Sequence, residues 1–153
     1  MKAVEVDVRL AAAPDRPAIR LLLAEARLPI EDIDPATHLT FWVVRGDTGE
    51  PLGAIGLERH GAVGLLRSLI VAPGQRRQGL GRALVRALER HANAAGVAQL
   101  LLLTETAEPF FRRLGYAVIE REHAPPAVTS SAQFRTLCPA SAVCMTKFLS
   151  PSH

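Results

Sequence analysis

A chain of 153 residues is the right size for one domain with a core of its own. With 48% hydrophobic and 22% charged residues it reads as globular, and no apolar run is long enough to span a bilayer. The net charge is only +3, and the 18 basic residues, arginines apart from Lys2 and Lys147, are spread along the chain without an aromatic platform or basic tail, so no nucleic-acid partner is expected.

Residues 4–10 alternate, with Val4, Val6, Val8 and Leu10 on one side, which predicts a strand. This opening lacks the apolar stretch of a signal peptide, so a cytoplasmic protein is expected. Residues 14–26 carry Ile19, Leu22, Leu23 and Ala26 at helical spacing, and Leu28-Pro29 ends that helix. A short irregular helix is expected over 30–39. Strands are expected over 40–45 and 51–58, joined by a turn at 46–49. Arg59-His60-Gly61 reads as a second turn, and 62–71 as the next strand. A long amphipathic helix follows over 79–95, burying Leu80, Ala83, Leu84, Ala87, Leu88 and His91 or Ala92, with Gly96 as its C-terminal cap. The leucine run at 98–103 reads as a strand buried on both faces. Thr106 is the expected cap of a helix that holds Pro109 in its first turn and ends at Gly115. Residues 116–121 read as a strand, 124–128 as a proline-containing loop, 130–137 as a short helix and 142–148 as the last strand. Residues 1–150 form one α/β domain on this reading, and 151–153 a frayed tail.

The most informative stretch begins where the apolar strand ends at Val71. A proline and a glycine break it, and Arg76, Gly79 and Gly81 then form R-x-x-G-x-G before the long helix. A glycine loop opening a helix turns successive N–H groups toward one point, and the helix start adds partial positive charge there. The expected guest is a phosphate or pyrophosphate. A Rossmann fingerprint lacks its third glycine here, and a P-loop lacks its lysine.

In full, residues 71–84 match V-x-P-x-x-R-x-x-G-x-G-x-x-L, and the segment resembles the acyl-CoA signature of the GNAT N-acetyltransferases. Residues 104–116 are similar to the family's second acyl-CoA segment, with Thr104 in place of the usual asparagine and Phe111 in place of a tyrosine that protonates the departing thiolate. The resemblance implies a GNAT fold, a mixed sheet of about seven strands flanked by helices, matching the element order read above. A narrower resemblance is to the GNAT-like N-acetyltransferases encoded with arsenic-resistance genes. It rests on Gly56 to Glu58, Leu65 to Val71, Leu101 to Phe111, Arg121 to Pro125 and Phe134 to Ala142.

Acetyl-CoA is the cofactor-like substrate the resemblance implies. The backbone of Leu69, Ile70 and Val71 would pair with pantetheine, and N–H groups of Arg77, Gln78, Gly79, Leu80, Gly81 and Arg82, beside Arg76, would cradle the pyrophosphate. Thr104 and Phe111 would border the same donor. A strand N–H near Leu69 would polarise the thioester carbonyl. Glu58 is the carboxylate candidate for general base, since it lies in an apolar segment where a carboxylate becomes a stronger base. The other reading of Glu58 is an ion pair with Arg59 or Arg67. His60 is an alternative base, expected exposed in its turn. Phe111 has no proton to donate; a thiol ionises near pH ~8.5, so its thiolate leaves without help. Ser68 and Thr104 are weaker donors, and Tyr116 is expected in the core. Arg67, Arg121 and Arg135 are candidates to hold an acidic acceptor, Arg67 with a structural pairing to Glu58 as its alternative. His123 lies on the same C-terminal segments. Cys138 and Cys144 show no metal spacing and are expected as packed, reduced thiols, with no metal bound.

The implied activity is acetyl transfer to the primary amine of a small metabolite, such as a toxic amino-acid-like compound. A protein N-acetyltransferase and a catalytically silent acyl-CoA sensor are the alternatives. The family commonly dimerises, so a homodimer is implied as well.

Overall fold

The computed structural model describes residues 7–25, 39–46, 49–72, 79–129 and 142–150. The expected helices at 30–39 (up to residue 38) and 130–137 lie outside these residues, as do the ends of the first strand and the chain termini. The strands are β1 (Val8–Leu10), β2 (Leu39–Arg45), β3 (Pro51–His60), β4 (Val63–Val71), β5 (Gln99–Thr104), β6 (Ala117–Ile119) and β7 (Val143–Phe148). The helices are α1 (Arg16–Glu25), α2 (Leu80–Ala94), α3 (Glu108–Arg113) and the single turn α4 (Pro126–Thr129). The strands form one seven-stranded sheet in the order β1-β2-β3-β4-β5-β7-β6. It is mixed: β4 and β5 run parallel, whereas β1–β2, β5–β7 and β6–β7 are antiparallel. Parallel strands need a crossover, and α2 supplies it between β4 and β5.

The chain packs as two compact units, Met1–Gly56 with Ser68–Leu88 and Leu57–Arg67 with Glu89–His153. In the first, Ile19 and Leu23 of α1 bury against Leu39, Phe41 and Val43 of β2, Ala54 of β3 and Ile70 of β4. A 3-10 turn, Ala13–Asp15, precedes α1, so the helix starts later than its apolar spacing suggests. Asp15 explains the delay: its Oδ2 accepts the Ala12 N–H at 2.8 Å and also pairs with Arg45. In the second unit, Leu65, Leu101, Ala124, Val128 and Cys144 form the core cluster. Leu100, Leu101 and Leu102 are at most 1% exposed, as expected for a strand covered on both faces, and each buried leucine contributes about 2 kcal/mol.

Both α2 and α3 close on a left-handed glycine. Gly96 and Gly115 have φ of 92° and 98°. At α2, Gly96 N–H donates to Asn93 O and Val97 N–H to Ala92 O; at α3, Gly115 N–H donates to Arg112 O and Tyr116 N–H to Phe111 O. These crossed bonds satisfy the last carbonyls and turn the chain into the next strand.

Several expectations are corrected. β3 continues past Glu58 to His60, and the reversal is made by Gly61 (φ 69°) and Ala62, because only glycine adopts that backbone at little cost. His60 is therefore a strand residue with a side chain 21% exposed, not an exposed turn residue. Thr106 does not cap α3; Ala107 is the cap residue, and its N–H donates to Thr104 Oγ1 at 3.0 Å. Residues 124–128 are not an open loop: a 3-10 turn at Arg121–His123 leads into α4, whose first residue is a proline, suited to a first-turn position that has no N–H to satisfy. The strand expected over 116–121 is only Ala117–Ile119. On α2, Ala83 is half-buried, and Val85 is fully buried in addition; of the pair His91 and Ala92, it is Ala92 that is buried.

Tyr116 is 3% exposed, so it is core as expected, and its hydroxyl donates to Glu89 Oε2 at 2.8 Å. Lys147 Nζ donates to Glu89 Oε1 and Oε2 at 3.2 and 3.1 Å and to Leu114 O at 2.8 Å. Burial, and then the Glu89 carboxylate, hold the Tyr116 phenol far above its ordinary range. In the folded protein the phenol stays protonated, while in the unfolded chain it ionises near pH ~10. Tyr116 thus supports folding fully below that pH and loses its contribution as pH rises further, at about 1.4 kcal/mol per unit. Melts between about pH 9 and 11 should fall more steeply for the parent than for Tyr116→Phe; equal slopes would show that the phenol is not held.

Candidate active site

In the first unit, β4 contains one abnormal residue. Ser68 has φ of 59°, the only non-glycine among the described residues with positive φ. Left-handed backbone inside a strand breaks the alternation and re-aims the neighbouring N–H groups, at a cost of about 1–2 kcal/mol. The sequence points to the Ser68 hydroxyl alone, and nothing in residue type marks this backbone turn. Ser68→Gly should be nearly neutral, since glycine needs no strain there, whereas the β-branched Ser68→Val should cost roughly 1–2 kcal/mol in denaturant melts. Equal stability of the two variants would argue against the left-handed geometry.

Beyond Ser68, Leu69 and Val71 are half-buried and Ile70 is buried in the core. Gln75 and the loop residues Arg76, Arg77 and Gln78 lie outside the described residues. Gly79 is exposed with φ of 71°, and Ala83 N–H donates to its carbonyl at 3.1 Å, the first turn of α2. Leu80 is buried at 4% exposure and anchors the helix start, while Gly81 is half-buried and Arg82 exposed. The first turn of this 15-residue helix holds no acidic residue. Its leading N–H groups, the helix dipole and Arg82 together favour an anion at this end.

In the second unit, Glu58 of β3 and Arg67 of β4 come together across the short turn. Arg67 Nη1 is 3.9 Å from Glu58 Oε2, with side chains 0% and 18% exposed. Of the pairings expected for Glu58, the ion pair is with Arg67, while Arg59 Nη2 donates to Ala95 O at 3.2 Å. His60 Nε2 lies 3.4 Å from Glu58 Oε1, a juxtaposition the sequence reading missed because it placed His60 in a turn. Had the strand been drawn two residues longer, the i, i+2 spacing would have put both on one face.

Thr104 ends β5, with its hydroxyl engaged by the Ala107 N–H. Phe111 is 4% exposed and stacks edge-on with Phe110 and Tyr116 at centroid distances of 5.0 and 5.5 Å. The Tyr116 O–H is engaged as a hydrogen-bond donor to Glu89, so Tyr116 does not take the place of the missing tyrosine. Arg121 Nη2 donates to Ala142 O at 2.9 Å, which ties the 3-10 turn to the start of the last strand. Arg135, Phe134, Leu137 and Cys138 lie outside the described residues. Cys144 is a buried free thiol pushed up to about 11 by burial, which Arg121 partly opposes, so it is a weak nucleophile and a packing residue. Among the described residues no group of His, Cys, Asp and Glu could hold a metal ion.

Residues 37–118 match the family model described as the acetyltransferase (GNAT) domain, which is more than half of the chain. This chain belongs to the GNAT acetyltransferase family. It is 30% identical over 108 residues to an uncharacterized N-acetyltransferase of Chlorobaculum tepidum, covering 70% of this chain and 67% of that protein. It is 40% identical over 82 residues to probable N-acetyltransferase 14 of Danio rerio, covering 49% of this chain and only 29% of that longer protein. Among solved structures, N-acetylglutamate synthase from Neisseria gonorrhoeae, complexed with coenzyme A and N-acetyl-glutamate, superposes with a TM-score of 0.81. That match is 20% identical and covers 97% of this chain and 36% of the synthase, so the likeness is one of fold. The seven-stranded mixed sheet is thus the GNAT fold that the sequence resemblance implies. As a GNAT acetyltransferase the chain is an acyltransferase, and none of its described helices is long and apolar enough to cross a membrane.

Proposed function

We propose that the protein moves acetyl from acetyl-CoA to the primary amine of a small metabolite. The observation that carries this reading is the left-handed Ser68 in β4, three residues before the strand ends at Val71, ahead of the glycine-led helix that begins at Leu80. A strand with its N–H groups re-aimed can offer one to a thioester carbonyl while its remaining backbone pairs with pantetheine. Leu69, Ile70 and Val71 fill that pairing role, and the N–H groups from Arg77 to Arg82, with Arg76 beside them, take the pyrophosphate.

Catalysis then requires a neutral amine. Glu58 takes a proton from the acceptor's ammonium group. The amine nitrogen attacks the thioester carbon, the N–C bond forms, and negative charge moves onto the carbonyl oxygen. Collapse breaks the C–S bond and releases the CoA thiolate, and the second proton of the attacking nitrogen passes to that thiolate to leave the neutral amide and CoA thiol. Ser68 is the hydroxyl assigned to that thiolate, and Thr104 and Phe111 border the donor. Arg67, Arg121 and Arg135 are assigned to an acidic group on the acceptor.

The resemblance to N-acetyltransferases encoded with arsenic-resistance genes makes toxic amino-acid-like amines the first acceptor class to test. We also propose a cytoplasmic location, and a homodimer, as GNAT acetyltransferases commonly form. The test is release of free thiol from acetyl-CoA with a panel of amino acids, amino-acid-like toxins, polyamines and peptides. Turnover of small amines supports the proposal. Turnover of peptides alone identifies a protein N-acetyltransferase, and tight acetyl-CoA binding without turnover identifies a sensor.

A further inference from the structure

Glu58 and His60 stand two residues apart on β3, so their side chains leave the same face of the strand. The carboxylate is flanked on both oxygens: His60 Nε2 is 3.4 Å from Oε1, and Arg67 Nη1 is 3.9 Å from Oε2. Arg59, between the two, is directed to the Ala95 carbonyl and takes no part. Glu58 Oε2 and His60 Nε2 are both buried atoms without a hydrogen bond among the described residues. Two open polar atoms beside each other are costly unless a partner reaches them. Closure of His60 Nε2 lies within the pair. A contact of 3.4 Å is just beyond a good N–H···O bond, and a small rotation of the imidazole brings Nε2–H onto Oε1.

We infer that His60 is a positioning residue: its Nε2–H donates to Glu58 Oε1, fixes the carboxylate, and leaves Oε2 open for the proton of the acceptor amine. The inference rests on the reading of Glu58 as general base. His60 itself forms and breaks no covalent bond, and the proton passes from ammonium nitrogen to Oε2. Arg67, held on the Oε2 side at a distance too long for a hydrogen bond, leaves room for that proton.

The first measurement is independent of turnover. In ¹⁵N-labelled protein, His60 should show an Nε2–H proton slow to exchange, lost in Glu58→Ala. A bare Nε2, or a proton that exchanges equally fast in both proteins, overturns the inference. The second uses acetyl-CoA and the amine panel. Glutamine places its amide nitrogen near the position of Nε2, and asparagine near that of Nδ1. His60→Asn should therefore lower kcat by about tenfold or more with KM for acetyl-CoA unchanged, and His60→Gln should restore most of it. If His60→Asn is as active as the parent while Glu58→Gln is inactive, the positioning role fails and the base stands. If Glu58→Gln keeps full activity, the reading of Glu58 as base fails, and the role of His60 with it.

Discussion

Glu58→Gln is expected to lower turnover by about 10²–10⁴-fold, the range that general-base catalysis supplies. The same change leaves Arg67, whose side chain is 0% exposed, without the carboxylate 3.9 Å away. Loss of the carboxylate from this buried ion pair should also make the variant melt earlier. Activity and stability must therefore be separated. The double variant Glu58→Gln with Arg67→Met replaces both charges together and should regain most of the lost stability, because a buried ion pair exchanged for neutral groups is near neutral in energy. It should not regain turnover. Recovery of turnover in the double variant would show that Glu58 serves only to neutralise Arg67, and that another group, or water, deprotonates the amine.

Gly79→Asp is expected to weaken acetyl-CoA binding by about 10²-fold, measured by calorimetry, and Gly79→Asn by about tenfold or less. The pair of variants is informative because of the geometry at Gly79. Its φ is +71°, and a Cβ built there meets nothing within 4 Å. Among the described residues no neighbour blocks a side chain, so a substitution there adds backbone strain, and its charge acts on a ligand that approaches from outside. Asparagine and aspartate tolerate the left-handed region better than other side chains and are nearly the same size. The strain is thus shared, and the difference between the variants reports charge against a pyrophosphate. Equal affinities in two folded variants would remove the donor from this end of α2.

The strands and long helices were legible in the sequence because their spacing carries their burial. The leucines of β5 and the Ile19–Leu23 face of α1 are buried where period and composition put them. The left-handed glycines at the ends of α2 and α3 were equally readable at Gly96, and at Gly115 as a helix end. What was not legible is backbone conformation carried by ordinary residue types. Ser68 is a serine in an apolar strand, and nothing in its identity announces positive φ. His60 was misplaced because Arg59-His60-Gly61 is polar enough to imitate a turn, whereas the actual reversal needs only Gly61 and Ala62. Thr106 was the eligible helix cap by residue type, yet Ala107 is the cap residue, and its N–H reaches back to Thr104 Oγ1, an approach only the folded chain reveals.

The bonds around Lys147 bear on a hazard particular to a protein that handles activated acetyl groups. A thioester donor acetylates unprotonated, accessible amines without discrimination, its own carrier's included. This chain has two lysines against 16 arginines, whose guanidinium groups stay charged and do not react in this way. Lys147 has its ammonium donors committed to Glu89 and the Leu114 carbonyl. An amine so engaged must break these contacts before it can attack a thioester. Its acetylation would break the contacts that hold Tyr116 and the end of α3, so the fold itself resists self-modification at that amine.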